Sequence, residues 1–438
     1  MNDYYNKIKN NPEALLHFFE HMPKGGDIHH HALGALWAED IMKYAAEQDF
    51  WIESESGQLF KTETENCLNV KKELDKEAFR EFCIKKWSVA HFDPNDNNGH
   101  SHFFDVFPKI APAFIGFENY WLERIADQAR KEGLIYIETM IECPSESERV
   151  WNLGLLYDNE ISENADISVF EAFYCFLKEN GLQDAVKNTV TLLEAWKKSA
   201  EKAAEVELCF QLYAVRNLDP RQVLAQLILC YEAAAISKHV VGVNLVAPEY
   251  HENTLKFYSM QMRACRWLNS LFPQVNLALH AGELSKDIVE ESHLKFHIDE
   301  AVSIAKAKRI GHGVDLHWEH HRNRILDFMS EKGWAIEILP KSNDFILNIS
   351  GDEHPFETYL RSGVPVIVAT DDPGLLRCTL ADQYLFLAQH YSFLDYDDFR
   401  QFSLNSIKYS FLPKIKKEQL LLKLTEDLGI FEKSILGN

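Results

Sequence analysis

The chain has 438 residues, 46% of them hydrophobic, which is ample for one large core or two smaller ones. Its 45 basic and 67 acidic side chains leave a net charge of −22, a surface that repels phosphate backbones and anionic lipids and argues against a nucleic-acid substrate. No apolar run approaches the ~20 residues of a membrane span, and Met1-Asn2-Asp3-Tyr4-Tyr5 is not the start of a secretory signal.

Eight strands are expected in chain order: Asp27–His31, Leu134–Ile141, Val206–Val215, Val240–Val246, Val275–His280, Arg309–Val314, Trp334–Leu339 and Pro365–Thr370. Most are near-continuous apolar runs, as in parallel strands buried on both faces. Helical patterns separate them. Asp184–Ala204 and Pro220–Ser237 are the clearest, the second with Asp219 as N-cap and proline at the first helical position. Strand and helix alternating eight times predicts an α/β fold, a (β/α)8 TIM barrel in one domain over 1–438. The regularity breaks once, where about a hundred residues separate the first two strands. There Phe50–Cys67 reads as a hairpin turning at Ser56-Gly57, a helical stretch follows, and Trp87–Phe107 reads as aromatic and turn-rich. An insertion after a barrel strand emerges on the catalytic face, so positions of about 45–125 are expected to form a hairpin-plus-helical cap.

Chemistry-bearing residues cluster at the strand ends. His29 and His31 sit one residue apart on a strand and point to the same side, while His30 faces away. His280 ends another strand, and Asp371 directly follows the last. Three imidazoles and a carboxylate suit zinc with a water completing the sphere; iron and manganese remain open. Glu283, three residues beyond His280, is placed to move protons at a substrate. Taken singly, each has a plainer reading: Glu283 a solvated loop carboxylate, His312 a turn residue between glycines, Asp371-Asp372 a helix N-cap pair before proline. Their joint occurrence at different strands in barrel order favours one catalytic site. The eight cysteines show no Cys-x-x-Cys spacing and form no disulfide framework, so a reducing cytoplasm is expected.

The combination of Pro23-Lys24 before the paired histidines, His280-Ala281-Gly282-Glu283, Arg309-Ile310-Gly311-His312-Gly313, Pro340-Lys341-Ser342-Asn343 and Thr370-Asp371-Asp372-Pro373 resembles the adenosine deaminase family of the amidohydrolase superfamily. The resemblance spans roughly Pro23 to Ala388. It implies His29, His31, His280 and Asp371 as zinc ligands and Glu283 as proton shuttle to the purine N1. It also implies that His312 orients a metal-bound hydroxide and that Asp372 contacts the hydroxide or N7. Val240–Val246 contains no lysine of the kind that bridges two metals in binuclear relatives, so one ion per chain is expected. Gly99-His100-Ser101-His102-Phe103-Phe104 and the RIGHG motif look closer to the growth-factor-related branch, without its N-terminal dimerisation region or signal peptide.

Departures fall on the sugar side. Ala32 and Leu33 stand where the branches of the family carry a ribose-binding acid, and Asn244-Leu245-Val246-Ala247-Pro248-Glu249 replaces the Asp-Leu-x-Gly pattern. Substrate contacts are expected from the Ala247 N–H to N3, and from Asp372, Arg216, His100 and His102; Glu138 also matches a family position. His293 and His297, at i, i+4 on a predicted helix, read as surface residues, and the aromatics from Phe103 to Trp121 as cap core. The function expected is zinc-dependent hydrolytic deamination of a 6-aminopurine nucleoside, adenosine or deoxyadenosine first. The alternatives are another aminopurine, another bond hydrolysed on the same fold, or a non-catalytic purine-binding protein. The partner expected is a small purine nucleoside, with neither nucleic acid nor membrane; a homodimer is compatible.

Overall fold

The computed structural model describes residues 1–93, 98–203 and 206–437. Eleven strands follow in chain order: β1 Gly26–His31, β2 Trp51–Glu53, β3 Leu59–Phe60, β4 Cys67–Asn69, β5 Tyr136–Ile141, β6 Glu207–Val215, β7 Val240–Val246, β8 Ala278–Ala281, β9 Arg309–His312, β10 Ala335–Ile338 and β11 Val366–Val368. Eight of them form two parallel four-stranded sheets, ordered β1-β5-β6-β7 and β11-β10-β9-β8. Single parallel bridges join the sheets at both seams, Val243 to Leu277 and His30 to Asp371. The eight predicted strands are thus all present, with ends moved by a few residues, and they make the (β/α)8 barrel. Near-continuous apolar runs such as Val-Ile-Val in β11 are buried on both faces because helices cover the outside.

The barrel interior is not wholly apolar. Below the strand ends the Arg309 guanidinium reaches Glu138 and Glu337, each at 2.6 Å, and Gln211 donates to Glu138 at 3.1 Å. A buried guanidinium flanked by two carboxylates has its charge compensated where it sits.

The insertion between β1 and β5 differs from its expected form in two ways. The hairpin is part of a three-stranded antiparallel sheet of order β3-β2-β4, in which Cys67 opens the third strand. The segment expected to be turn-rich holds a helix, Gly99–Phe114, capped by the Asn98 side chain accepting from the Ser101 N–H at 2.8 Å. Pro108 and Pro112 lie inside it, and prolines normally argue against a helix interior. Burial of Phe103, Val106, Ile110, Ala113 and Phe114 at helical spacing outweighs them. Positions 94–97 of the expected turn-rich segment, and Ala204 at the end of the helix Leu182–Ala203, lie outside the described residues. Two buried indoles tie the cap together, Trp87 donating to the Gly57 carbonyl and Trp121 to that of Ala113, both at 2.8 Å. No described helix is long and apolar enough to cross a membrane. All eight cysteines are free thiols.

Candidate active site

Period-two geometry on β1 turns His29 and His31 into the barrel together, while His30 turns outward and its Nδ1 meets the Thr139 hydroxyl at 2.9 Å. The inward pair meets His280 from β8 and Asp371 from the loop after β11. His29 Nε2 and His31 Nε2 each lie 3.1 Å from His280 Nε2, and Asp371 Oδ1 lies 3.4 and 3.3 Å from the first two. Ligands held tetrahedrally by bonds of ~2.0–2.1 Å stand roughly 3.3–3.4 Å apart, so the spacing fits a first-row metal ion. Protonation points the same way. His29 Nδ1 faces the Glu337 carboxylate at 2.5 Å and His280 Nδ1 faces Asn244 Oδ1 at 3.0 Å, partners that accept and do not donate. In the neutral tautomers this leaves the Nε2 lone pairs of His29 and His280 directed at each other, which a cation between them relieves. The four side chains fit a metal.

A second layer holds them. Ser342 donates to Asp371 Oδ2 at 2.6 Å, and Arg309 fixes Glu337 behind His29. Gly311 is required by close approach, since a Cβ there would come within 2.5 Å of the His29 ring. Asp371 is no ordinary N-cap residue: with Asp372 it precedes the short helix Pro373–Leu376, which has no side-chain cap.

Beside the cluster stand Glu283, His312 and Asp372, all buried. Glu283 Oε1 lies 3.6 Å from His312 Nδ1, which Asn343 contacts at 2.9 Å. Burial and then the Asp371 carboxylate push the Glu283 carboxyl up to about 8, so it carries a proton near neutral pH. Burial, with Asp371 next, likewise raises Asp372. These groups, with Ala247, line one cavity of about 430 Å³, a size suited to a small ligand. Three non-glycine residues on its wall have left-handed backbone, Ala247 at φ 85°, His312 at 70° and Asp371 at 68°. Such strain persists only where the surroundings impose it, and it gathers at functional strand ends.

The sequence profile of the family described as adenosine deaminase matches residues 122–427, more than half of the chain. The chain belongs to the adenosine deaminase family. It is 31% identical to the adenosine deaminase of Xenopus tropicalis over 158 residues, 36% of this chain and 41% of that protein. It is 26% identical to that of Clostridium perfringens over 190 residues, 43% and 52% of the two chains. The chain therefore matches only about two fifths to half of these relatives' lengths. Among solved structures, an amidohydrolase from Burkholderia ambifaria with bound Zn superposes with a TM-score of 0.58 at 15% identity, covering 97% of this chain and 95% of the other. An Arabidopsis ADAL protein complexed with IMP gives 0.61 at 15% identity, covering 94% and 99%. At that identity the likeness concerns the fold.

In this member of the adenosine deaminase family the structure gathers His29, His31, His280, Asp371, Glu283, His312, Asp372 and Ala247 around one cavity, apart from His29 behind its wall. Arg216 is not on that wall. Fully buried, it donates to the Ala247 carbonyl at 2.8 Å and the His280 carbonyl at 2.9 Å, so it ties the loop after β7 to strand β8. His100 faces the Tyr250 hydroxyl at 3.2 Å and His102 the Ser88 carbonyl at 2.9 Å, and neither lines the cavity. Phe103, Phe104 and Phe107 do line it, whereas Phe114 and Trp121 are cap core as expected. His297 corrects the surface reading. It is fully buried, with Nδ1 2.7 Å from Glu249.

Glu249 is the residue that sequence reasoning most clearly missed. Its carboxylate accepts from the Gly282 N–H at 3.1 Å and the Glu283 N–H at 2.8 Å, holding the backbone that carries Glu283. Burial pushes this carboxyl up, but the nearby Arg216 charge, the His297 contact and the Gly282 N–H outweigh it and bring it down to about 2. Glu337 was missed as well, although a lone glutamate inside the apolar strand Ala-Ile-Glu-Ile is itself a signal, because a charge buried there needs partners.

Proposed function

We propose that this protein is a zinc-dependent aminohydrolase that replaces the 6-amino group of a purine nucleoside by oxygen, taking adenosine or deoxyadenosine and releasing ammonia. The observation that carries the reading is the cluster of three imidazoles and a carboxylate beside the buried Glu283, on one cavity. Zinc held by His29, His31, His280 and Asp371 supplies Lewis-acid activation of a water at neutral pH. The chain's own groups do the rest. Glu283, whose carboxyl burial pushes up, gives its proton to ring N1 as electron density moves there, which makes C6 open to attack. Its carboxylate then takes up a proton from the attacking water and passes it toward the amino nitrogen. As the C6–O bond is made and the C6–N bond breaks, nitrogen leaves as ammonia, the ring keeps the oxygen, and the remaining proton of that oxygen returns to the Glu283 carboxylate. His312, neutral because burial lowers its pKa to about 3, and Asp372, both on the cavity wall, orient the water. The Ala247 N–H, on left-handed backbone whose carbonyl accepts from Arg216, donates to N3. Ammonia release from a panel of 6-aminopurines by zinc-loaded protein tests the proposal. Absence of release from every member, with about one equivalent of zinc bound, would remove it.

A further inference from the structure

Among the described residues, one group of metal-competent side chains lies apart from the catalytic site: His17, Glu20 and His21, on the helix Pro12–His21. That helix opens on proline and is capped by the Asn11 side chain, which accepts from the Ala14 N–H at 3.2 Å. It buries Leu15, Phe18 and Phe19; the Phe18 ring packs 5.2 Å from that of Phe431, and the Phe19 ring 4.6 Å from that of Phe399. With that side anchored, His17, Glu20 and His21 are all exposed, and their spacing of three and four residues puts them on one face. Positions 22–25 lead from His21 to the start of β1, whereas His29 and His31 lie toward the strand's other end. The two groups share no residue.

We propose that His17, Glu20 and His21 form a second transition-metal site, which takes a divalent nickel, copper or zinc ion in labile exchange. One nitrogen of each ring and one Glu20 oxygen lie within 4.8 Å of one another, and the two rings stand 4.2 Å apart between centroids. Donors around an ion with bonds of ~2.0–2.1 Å stand roughly 3.3–3.4 Å apart, a gap that exposed side chains close by small rotations. His21 Nδ1 meets the His17 carbonyl at 2.8 Å. A carbonyl only accepts, so Nδ1 carries the hydrogen and the Nε2 lone pair is left for a metal. That backbone contact also holds the ring, as partners behind a metal ligand do. Glu20, with Oε2 3.9 Å from His17 Nδ1, adds the negative charge. Two imidazoles with one carboxylate favour first-row transition ions over magnesium and calcium, which prefer shells of oxygen. Water fills the remaining positions. Exposure makes this site weaker than the buried cluster, so dialysis strips it and spares the buried ion.

The test titrates zinc-loaded, dialysed protein with nickel chloride by calorimetry, in the unaltered chain and in His17→Ala, His21→Ala and Glu20→Gln. The unaltered chain is expected to bind about one equivalent in the micromolar range, with its zinc content unchanged by elemental analysis. Either alanine variant should weaken nickel about tenfold or more, and Glu20→Gln a few-fold. All three side chains are exposed, so the variants should keep the thermal midpoint of the metal-stripped surface site. Copper in place of nickel should show imidazole nitrogen splittings in its paramagnetic resonance spectrum, lost when both histidines are replaced. No nickel binding, affinity unchanged in either alanine variant, or nickel taken up only as zinc is released would overturn the proposal. The readout is metal binding alone, so its failure leaves the deaminase reading standing, and the reverse holds.

Discussion

The metal cluster and the apolar residues that line the cavity are held by opposite principles. In the metal cluster, buried charges are held by partners from β9, β10 and the helix Pro340–Leu347, His29 by Glu337, Glu337 by Arg309 and Asp371 by Ser342. Glu249 grips the loop that bears Glu283 in the same way. In the apolar lining the inserted helix Gly99–Phe114 supplies phenylalanines that need only apolar contact. A buried charge without its partner costs several kcal/mol, so the metal cluster tolerates little change. An apolar wall needs only shape and volume, so it is where specificity is free to drift.

The largest effect that would sharpen this contrast is expected at the metal cluster. His280→Ala should take bound zinc from about one equivalent per chain to well below it, read by elemental analysis after dialysis. Two tightly bound ions in the unaltered protein would contradict the single cluster. Glu283→Gln comes next. Zinc should stay bound while turnover falls on the order of 10²–10⁴-fold, and near-normal rates with full metal content would take Glu283 out of the chemistry.

Glu249→Gln probes whether the second layer acts through position. A loss in kcat of roughly ten- to a hundredfold with little change in zinc content is expected, because Glu283 would lose its backbone anchor. Stability adds a pH signature. The folded pKa of about 2 lies below the usual 4.5, so this carboxylate stabilises the fold fully above 4.5 and loses that contribution as pH falls toward 2. The difference in unfolding free energy between wild type and variant, on the order of 3 kcal/mol at neutral pH, should therefore shrink across that window in denaturant titrations. A difference independent of pH would mean that the charge of Glu249 is not what matters.

The smallest effect belongs to the wall. Leu33→Asp should raise the preference for adenosine over 5′-deoxyadenosine about tenfold in kcat/KM, the worth of one charged hydrogen bond to a hydroxyl. An unchanged ratio would place hydroxyl recognition elsewhere.

The sequence by itself determined the barrel and the gathering of its polar strand ends. Apolar runs of strand length recur with helices between them, and the two-residue repeat on β1 alone dictates that His29 and His31 share a side. These are local signals that survive without knowledge of the fold. Tertiary structure decided what depends on distant partners. The helix Gly99–Phe114 forms despite two prolines because its apolar face is buried, and β4 exists only because β2 pairs with it. His297 leaves the surface because Glu249, 48 positions earlier, waits inside, and Arg216 turns from ligand to brace because the carbonyls of Ala247 and His280 accept its guanidinium. Which groups face the cavity is settled by contacts between residues far apart in the chain, and periodicity carries no record of those.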